Sequence, residues 1–410
     1  MITVIYRKGN EMFLHLVEDE KFTAGSVSLF RICGPDNHIF VRIVDSHAHT
    51  PVCSDMEIVE IDFKSSRYKE LMQELKTYTA VFIHNFFNPY HIHITNNAPT
   101  GATLVWFFWG GELWTIPRLR TKIMMPLTKG LYYKNQIIPW LQRNWKKYVA
   151  LLGPEKSQYT YFKKKQKHLS PLCVDLERAI QRVDYIVPVF EDDFFLLQRT
   201  ISCKAQRLEW NYPCPSPLTV FNDIHISGNN WLAGNSSHYS NNHFELFRML
   251  KKIKGHRGNV IVPLSYGDER YRRDVVWLGR KLLKDRFRPL TEFLPYEKYL
   301  EILSSCSAAF FYTRRQQAMG NIFSLMYLGT RVFLRDDSPV YHFLRRRQAV
   351  IFSIPKDIPS CAEAVDKPLD KGQRDQNRKV VDQIASEEVI KNKTQKMLSL
   401  LCERKHQTRI

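Results

Sequence analysis

Four small residues, Gly234-Asn235-Ser236-Ser237, stand between an apolar strand pattern and the start of a helical pattern. Backbone N–H groups at a helix N-terminus bind phosphate, because they carry the positive end of the helix dipole. Glycine lets a ligand approach the backbone closely, and Asn and Ser add side-chain donors. These residues therefore predict an anion site. The alternative is simple capping of the helix by one of three later residues: Ser240, Asn241 or Asn242.

A second polar stretch, RRQQAMGN at 314–321, follows the apolar strand pattern of residues 308–313. A guanidinium matches the oxygens of a phosphate, and a helix that begins here adds backbone donors. We predict that this stretch binds a diphosphate, with a solvated polar turn as the alternative. The predicted contacts are Arg315, Gln316, Gln317, Gly320 and Asn321. After another strand pattern, the ring of Tyr266 is predicted to wall a nucleobase, unless the loop is an ordinary turn.

In the first half of the chain, two apolar runs end in polar residues, at 82–89 and 106–114. Glu112 follows two glycines, so little side-chain bulk would cover its carboxylate, which makes it a candidate general base. His84 is the second candidate, although a histidine in a strand is often a core residue with satisfied hydrogen bonds. The remaining residues predicted to line this cleft are Asn85, Asn88, Trp109, Gly110 and Gly111.

The positions of the cysteines and histidines do not indicate a metal site or a redox site. The eight cysteines form no C-x-x-C pair and no Cys/His cluster with zinc spacing. His91 and His93 have no acidic residue at matching spacing. We therefore predict no metal site and no cofactor, and reduced thiols of the kind found in cytosolic proteins.

The formal net charge of +19 indicates an acidic partner, such as nucleic acid, an anionic membrane surface or a phosphorylated substrate. The charge is concentrated in residues 118–167, which hold thirteen Lys or Arg and one acid. Within them, residues 137–152 predict an amphipathic basic helix that suits anionic lipid; a solvated face on a core-packed helix is the alternative. No apolar run reaches the ~18 residues that cross a bilayer, so we expect a soluble or peripheral protein.

Strand patterns alternate with helical patterns along both halves of the chain, which predicts parallel sheets with helices on both faces. A proline-rich segment at 203–217 predicts a linker. We predict an α/β protein with two Rossmann-like, doubly wound domains that face each other across a cleft. The predicted divisions are an N-terminal domain at 1–215 that carries the basic region, a C-terminal domain at 216–355 and a charged tail with helices at 356–410.

These motifs, in this order, resemble one family, the bacterial dTDP-N-acetylfucosamine:lipid II N-acetylfucosaminyltransferases of glycosyltransferase family 56. The resemblance covers most of residues 80–350 and is strongest in the second half. The matching segments are FIHNFFNP (82–89), WFFWGGELW (106–114), LAGNSSHYSNNHFELFRML (232–250), VPLSYGDERY (262–271), LPYEKYLEILSSCSAAFF (294–311) and RQQAMGNIFSLMYLGTRVFL (315–334).

The resemblance implies the two-domain GT-B fold, with a dTDP-sugar donor held by the C-terminal domain and no obligatory metal. It also implies a polyprenyl-diphosphate-linked saccharide as acceptor at the N-terminal domain. The enzyme would then be peripheral on the cytoplasmic face of the inner membrane. There it would serve surface polysaccharide synthesis of the enterobacterial common antigen or O-antigen type, without a nucleic-acid partner.

The resemblance includes individual residues of both polar stretches, 234–237 and 314–321. Gly234, Asn235 and Ser236 match the family's Gly-Asn-Ser loop, and the stretch from Arg315 to Gly320 matches its Arg-Gln-Gln turn. Three departures concern the base and the sugars. They are Glu112 where the family tends to have aspartate, Asn321 where it has threonine, and a larger basic insert at 155–167.

Three other functions stay open at this point. The first is a GT-B transferase that uses a different nucleotide sugar. The second is a basic nucleic-acid-binding protein that uses residues 118–167, although no recognised binding motif is present. The third is an inert GT-B-like scaffold.

Overall fold

The computed structural model describes residues 11–18, 23–34, 36–45, 58–136, 175–213, 218–221 and 224–407. The contacts between residues divide the chain into two compact units, and the chain crosses between them several times. The first unit comprises Met1–Leu113, Pro171–Pro217 and Ile384–Ile410, and the second comprises Trp114–Ser170 and Leu218–Gln383. The predicted domains at 1–215, 216–355 and 356–410 stay a prediction.

Each unit contains one parallel sheet. The strands of the first sheet are β1 (Phe13–Leu16), β2 (His38–Val44), β3 (Ile58–Asp62), β4 (Ala80–Ile83), β5 (Leu104–Phe108), β6 (Tyr185–Pro188) and β7 (Gln206–Arg207). Those of the second are β8 (Asn230–Ala233), β9 (Val260–Pro263), β10 (Phe287–Leu290), β11 (Cys306–Phe311), β12 (Arg331–Arg335) and β13 (Phe352–Ile354). Every strand pairing given for the two sheets is parallel.

Helices connect these strands, as the alternating sequence pattern predicts. In chain order, with the part of α5 that the structure describes, they are α1 (Thr23–Cys33), α2 (Ser66–Glu74), α3 (Pro89–Asn97), α4 (Pro117–Arg120), α5 (126–136), α6 (Leu176–Arg182), α7 (Glu191–Thr200), α8 (His243–Lys252), α9 (Glu269–Leu283), α10 (Tyr296–Ser304), α11 (Met319–Leu328), α12 (Pro339–Arg346), α13 (Ala362–Asp366), α14 (Lys371–Ala385) and α15 (Glu387–Gln407).

The central strands are mostly apolar, because helices cover both faces of each sheet. All residues of β4 (AVFI), β5 (LVWFF) and β11 (CSAAFF) are buried. Several helices, by contrast, bury one face only. In α8, for example, Leu246, Phe247 and Leu250 are buried, whereas the basic residues of its last turn are exposed.

The strand order locates the positions in each sheet where a ligand can bind. The order is β3-β2-β1-β4-β5-β6-β7 in the first sheet and β10-β9-β8-β11-β12-β13 in the second. The order of connection reverses between β1 and β4, and again between β8 and β11. Open parallel sheets bind ligands at the carboxyl ends of the strands beside such a reversal. Both polar stretches of the C-terminal half lie there, after β8 and after β11.

The last helix belongs to a core rather than to a solvated tail. Its buried residues include Ile390, Met397 and Leu401, which join the apolar core of the first unit. The indole N–H of Trp210 donates to the hydroxyl of Thr394 at 2.8 Å. The charged appearance of residues 362–392 therefore reflects the exposed faces of helices whose other faces are packed.

The basic region begins with a segment that packs on helix α8. The backbone N–H of Met125 donates to Asn242 Oδ1 at 2.7 Å, and the hydroxyl of Thr128 donates to Glu245 at 2.6 Å. The amphipathic helix predicted at 137–152 lies outside the described residues. Within the described residues, every helix is too short or too polar to cross a membrane.

Candidate active site

The loop after β8 is built around a glycine that no other residue can replace without strain. Gly234 has a φ of 73°, and a Cβ placed on it would lie 2.7 Å from His243 Nε2. The chain then turns through Asn235, Ser236 and Ser237, which are all buried. This loop therefore brings polar groups to the sheet edge at the reversal point between β8 and β11.

One glutamine joins the two predicted loops. Gln317, from the loop after β11, donates through Nε2 to Asn235 Oδ1 at 2.8 Å and to Asn241 Oδ1 at 3.0 Å. Its Oε1 accepts from the hydroxyl of Ser240 at 2.5 Å. Asn241 in turn donates to the carbonyl of Ser236 at 2.9 Å. The side chains that the sequence offered as anion donors are therefore partly used to hold the two loops together.

Asn242, one of the three residues considered as a helix cap, does not cap α8 through its side chain. This residue occupies the N-cap position of α8 with a left-handed backbone (φ 50°), and its side chain makes no capping hydrogen bond. Its amide donates instead to the carbonyls of Tyr312 at 3.0 Å and Ile123 at 3.2 Å. Asn242 therefore ties three segments of the second unit together, a role that its position in the sequence does not reveal.

The loop after β11 places a guanidinium at the start of helix α11. Ala318 has a left-handed backbone (φ 64°) just before the helix, and a Cβ added at Gly320 would meet open space. Gln316 beside Arg315 is buried, and Asn321 donates to the hydroxyl of Tyr299 at 2.9 Å. The first turn of α11 is thus open at Gly320, as binding of a phosphate to its backbone donors requires.

Positive charge gathers around the same loops. Desolvation by the surrounding protein, and then the charges of Arg315 and Arg120, lower the pKa of His238 well below its usual range, although its side chain is exposed. Arg120 comes from the basic region and donates to the carbonyl of Thr115 at 2.7 Å. The charges of Arg315 and Arg120 both act on His238, so the local potential here favours an anion.

Two aromatic rings stand nearly parallel beside these loops. The ring of Tyr266 lies 6.1 Å from that of Phe293, centroid to centroid, with 13° between the planes. Both rings are exposed, Phe293 to 76% and Tyr266 to 44%. Asn235 Nδ2 donates to the Tyr266 hydroxyl at 3.0 Å, which orients that ring. An exposed aromatic pair of this kind offers a stacking surface for a planar ligand.

In the first unit, His84 follows β4 at the reversal point between β1 and β4, and it is buried. Its Nδ1 is 2.9 Å from the hydroxyl of Tyr212, and its Nε2 is 3.1 Å from Nδ1 of His15. Desolvation lowers the pKa of His84 to about 3, with a smaller contribution from His91. Because both ring nitrogens are engaged, His84 can exchange a proton with a substrate only through a neighbouring group.

The other residues predicted for this cleft shape its loops. Asn85 Oδ1 accepts from the backbone N–H of Phe87 at 3.0 Å, and Asn88 Oδ1 caps helix α3 by accepting from the N–H of Tyr90 at 2.7 Å. These two asparagines thus perform the local turn and cap functions that their residue type favours.

Glu112 begins a short 3-10 helix (Glu112–Thr115) after the turn at Gly110, which has a φ of 75°, and Gly111. Its Oε1 accepts from the backbone N–H of Trp109 at 3.3 Å, and the residue has no exposed surface. In this conformation the carboxylate of Glu112 stabilises the loop from Trp109 to Glu112.

Buried neutral histidines make the stability of this protein depend on pH. Desolvation is the main cause that lowers the pKa of His243 and His84 to about 3, and it lowers that of His15 well below its usual range. The unfolded chain has the ordinary pKa of about 6.5, so below that pH it binds more protons than the folded chain. The contribution of these histidines to the free energy of unfolding is therefore fully present above about pH 6.5. It decreases as the pH falls towards the folded pKa, by about 1.4 kcal/mol per pH unit for each such histidine.

Urea unfolding at about pH 7 and about pH 5.5 measures this slope. His243→Phe is expected to flatten it, whereas the same replacement at the exposed His342 serves as control and leaves it unchanged. Equal slopes in the wild type and in His243→Phe would contradict the assignment of a neutral buried imidazole.

Several residues beside these loops escaped the sequence interpretation. They are His15, His38, Arg120, Tyr212 and Phe293, and Asn242 was considered only as a helix cap. Phe293 carried a signal, because it is a bulky apolar residue within a polar connection. The others come from distant parts of the chain, so no local pattern connects them.

Comparison with known proteins supports both the fold and the family. The pattern of a family described as "4-alpha-L-fucosyltransferase glycosyl transferase group 56" matches residues 172–364. The chain is similar in structure to the sucrose-phosphate synthase of Thermosynechococcus elongatus, with a TM-score of 0.60 and 10% identity over 96% of this chain and 100% of the other. It is also similar to Anabaena HepE in complex with UDP-glucose, with a TM-score of 0.59 and 10% identity over 95% and 100% of the two chains.

A glycosyltransferase from Rickettsia africae gives a TM-score of 0.56 at 12% identity, over 96% of this chain and 98% of that one. At such low sequence identity, these structural neighbours show a similar fold and nothing about function. Together with the two parallel-sheet units they confirm the predicted GT-B fold class.

Proposed function

Residues 172–364 belong to the group 56 glycosyltransferases, and from this premise we propose that the enzyme transfers an amino-dideoxy hexose of the N-acetylfucosamine type. The proposed donor is a dTDP-sugar, and the proposed acceptor is a polyprenyl-diphosphate-linked saccharide. The product would enter a surface polysaccharide of the enterobacterial common antigen or O-antigen type. The reaction would take place at the cytoplasmic face of the inner membrane.

The observation that carries this proposal is the pair of loops joined by Gln317 at the reversal point of the second sheet. The joined loops bring the Asn235 loop to the start of helix α11, where Arg315 adds a full positive charge. A sugar nucleotide needs its diphosphate bound tightly and its leaving phosphate stabilised as negative charge develops. Helix donors and a guanidinium supply both without a metal ion, so we propose metal-independent transfer.

The nucleobase is proposed to lie against Tyr266, at the aromatic pair with Phe293. The Tyr266 hydroxyl accepts from Asn235, and Asn235 accepts from Gln317, so this ring is connected to the diphosphate loop through two hydrogen bonds. Such a connection fixes the distance between the base and the phosphates of a bound nucleotide.

We expect Phe293→Ala to weaken nucleotide binding by about 5- to 150-fold, because stacking of one base on an aromatic ring contributes about 1–3 kcal/mol. Calorimetric titration with dTDP and with inorganic pyrophosphate measures the effect. Pyrophosphate lacks a base, so its affinity should be unchanged. Phe195→Ala is the matched control, because it also removes an exposed phenylalanine ring, which lies on α7 and is 46% exposed. Equal losses for dTDP and pyrophosphate would contradict a base-stacking role.

On the acceptor side, we propose that the proton of the acceptor hydroxyl leaves through the Tyr212–His84 pair. The two groups are hydrogen-bonded at 2.9 Å, and Tyr212 is only partly buried beside Trp109. Glu112 is the alternative base, but it would first have to leave its buried position. The basic region from Arg118 onward is proposed to face anionic lipid and the acceptor diphosphate.

Transfer of labelled sugar from dTDP-N-acetylfucosamine to a short-chain polyprenyl-diphosphate disaccharide tests the function directly. We expect transfer that continues in the presence of a chelator. Transfer from a UDP- or GDP-sugar alone would keep the enzyme class and overturn the proposed donor. Nucleotide binding without transfer to any lipid-linked acceptor would overturn the proposed acceptor.

A further inference from the structure

Helix α9 carries a row of exposed basic and aromatic residues that the proposed transferase site does not use. These residues, called the α9 stripe below, are Arg270, Arg273, Trp277, Arg280 and Lys281. An α-helix makes one turn in about 3.6 residues, so residues with this spacing lie on one side of it. The α9 stripe extends about 16 Å along the helix axis. It contains four positive charges and no negative charge.

The two acidic residues of α9 lie beside the stripe and are engaged there. Glu269 forms an ion pair with Arg272, and Asp274 Oδ2 accepts from Asn135 Nδ2 of α5 at 2.7 Å. Within the part of the chain that the structure describes, no carboxylate forms a salt bridge with the stripe itself. A solvated helix surface usually mixes charges of both signs. The α9 stripe therefore presents positive charge that its own surroundings do not neutralise.

The middle of the stripe is an indole ring in contact with water. Trp277 is 59% exposed, and Lys281 Nζ lies 5.1 Å from the centroid of its ring. A shallow groove beside the indole is lined by Arg272, Arg273, Val276, Trp277, Arg280 and Thr291. A guanidinium group can donate to two oxygens of one phosphate, and an indole has an apolar body with a single polar N–H. The groove thus combines three phosphate-binding groups with an apolar wall.

A second basic and aromatic pair lies on α5, the helix beside α9. Arg270 Nη1 donates to the carbonyl of Asn135 at 3.1 Å, which, together with the bond from Asn135 to Asp274, fixes the end of α5 against α9. Tyr133 of α5 is 43% exposed, and Lys129 Nζ lies 6.0 Å from the centroid of its ring. Both helices belong to the second unit, so their surfaces are held together by its core.

Charge and side-chain type together favour an anionic lipid surface as the ligand of the stripe. Lipid phosphates supply oxygens for the guanidinium groups, and the boundary between water and hydrocarbon is where indole rings are enriched. A single-stranded nucleic acid is bound by successive aromatic rings, whereas the stripe has one. Protein interfaces place their charged residues at the rim of an apolar centre, and the stripe has no such centre.

We propose that the α9 stripe binds the surface of an anionic membrane, with the Trp277 indole in the interfacial layer and Arg273 and Arg280 at lipid phosphates. The proposal rests on the membrane location of the proposed function, to which it adds a contact surface on α9. Vesicle binding tests it without any sugar donor, so the two proposals can fail separately. Because the attraction is between exposed charges, binding should weaken as the salt concentration rises.

Flotation of the full chain with lipid vesicles measures the affinity. We expect stronger binding to vesicles of phosphatidylcholine mixed with phosphatidylglycerol than to vesicles of phosphatidylcholine alone. The double variant Arg273→Gln/Arg280→Gln should bind the anionic vesicles about 30-fold more weakly, because each cation near such a surface contributes about 1 kcal/mol. Arg345→Gln/Arg346→Gln is the matched control and should bind almost as the wild type does. It removes two exposed arginines from α12, at the opposite edge of the second sheet.

The position of the indole is tested separately by fluorescence. Brominated phosphatidylcholine, mixed with phosphatidylglycerol, quenches tryptophans that reach the interfacial layer. With all protein bound, quenching should be weaker in Trp277→Phe than in the wild type. Trp277 is exposed, so this replacement removes no core packing, and urea unfolding should give the same stability for both proteins. Equal quenching in both proteins would overturn the proposed contact.

Three further outcomes would count against the membrane surface. The first is equal affinity of the wild type and Arg273→Gln/Arg280→Gln for anionic vesicles, and the second is an equal loss in the α12 control. The third is a loss of single-stranded oligonucleotide binding in the α9 variant while vesicle binding is retained. Transfer to a water-soluble, short-chain acceptor should be unchanged in the α9 variant, and a parallel loss there would also overturn the proposal. Absence of transfer in the wild type would count against the proposed function, whereas a selective loss of vesicle binding in the α9 variant would still support the membrane contact.

Discussion

Arg315→Ala is expected to lower kcat/KM for sugar transfer by about 10²- to 10³-fold, the effect of removing one preorganised donor from a developing oxyanion. Arg315 lies in the loop before helix α11, where its Nη1 donates to the carbonyl of Gln316 at 2.8 Å, and the first turn of the helix is open at Gly320. Positive charge at this point is stabilising mainly when the leaving diphosphate carries its full negative charge. The loss should therefore appear more in kcat than in KM, and steady-state transfer assays separate the two.

The neighbouring arginine is a matched control. Arg314 is exposed and donates to the carboxylate of Asp337 at 2.9 Å. Arg314→Ala removes the same charge one residue away, so a general loss of positive potential would affect both variants equally. Similar activities for Arg314→Ala and Arg315→Ala would contradict a specific role for Arg315. Arg315→Lys should recover only part of the activity, because an ammonium cannot donate to two oxygens in the same plane.

Replacement of Asn242 should lower the stability of the second unit. Its buried amide accepts from Met125 N at 2.7 Å and donates to carbonyls of Tyr312 and Ile123. Asn242→Ala leaves these groups without their partner and places alanine, which tolerates a left-handed backbone less well than asparagine, at this position. We expect about 2–4 kcal/mol of destabilisation, measured by urea unfolding of the full chain.

A glycine at the same position separates the two causes. Asn242→Gly removes the hydrogen bonds and keeps a residue that tolerates φ of 50°. It should therefore be about 1 kcal/mol more stable than Asn242→Ala, which is the cost of a left-handed conformation for an ordinary residue. If the two variants were equally stable, backbone strain would contribute nothing, and the hydrogen bonds would account for the whole loss.

Short-range patterns were sufficient for the fold class. Continuous apolar runs such as AVFI and LVWFF predicted buried parallel strands, and the helical periods between them predicted the connections. Polar residues after β8 and β11 predicted where loops would gather, because carboxyl ends of parallel strands lie at one edge of a sheet. The family resemblance through the Gly234 and Arg315 stretches was confirmed over residues 172–364.

The roles of individual side chains did not follow from the same patterns. Asn235 and Gln317 were predicted as ligand contacts, which stays a prediction. The structure adds that their amides hold two loops together, although the residues are separated by 82 positions in the chain. Glu112 was predicted to be uncovered because two glycines precede it. The short 3-10 helix that it begins turns its carboxylate back to its own loop instead.

The sequence by itself determined which segments are strands and helices and which loops carry polar chemistry, since these depend on residues near one another along the chain. Tertiary structure alone decided which polar groups meet. His15 and His38 look like ordinary strand residues until the parallel register places them in diagonal contact. Arg120 looks like one charge among many until folding brings it near His238 and Arg315. Hydrogen bonds and charges act over a few ångströms in space, whereas sequence patterns record distance along the chain.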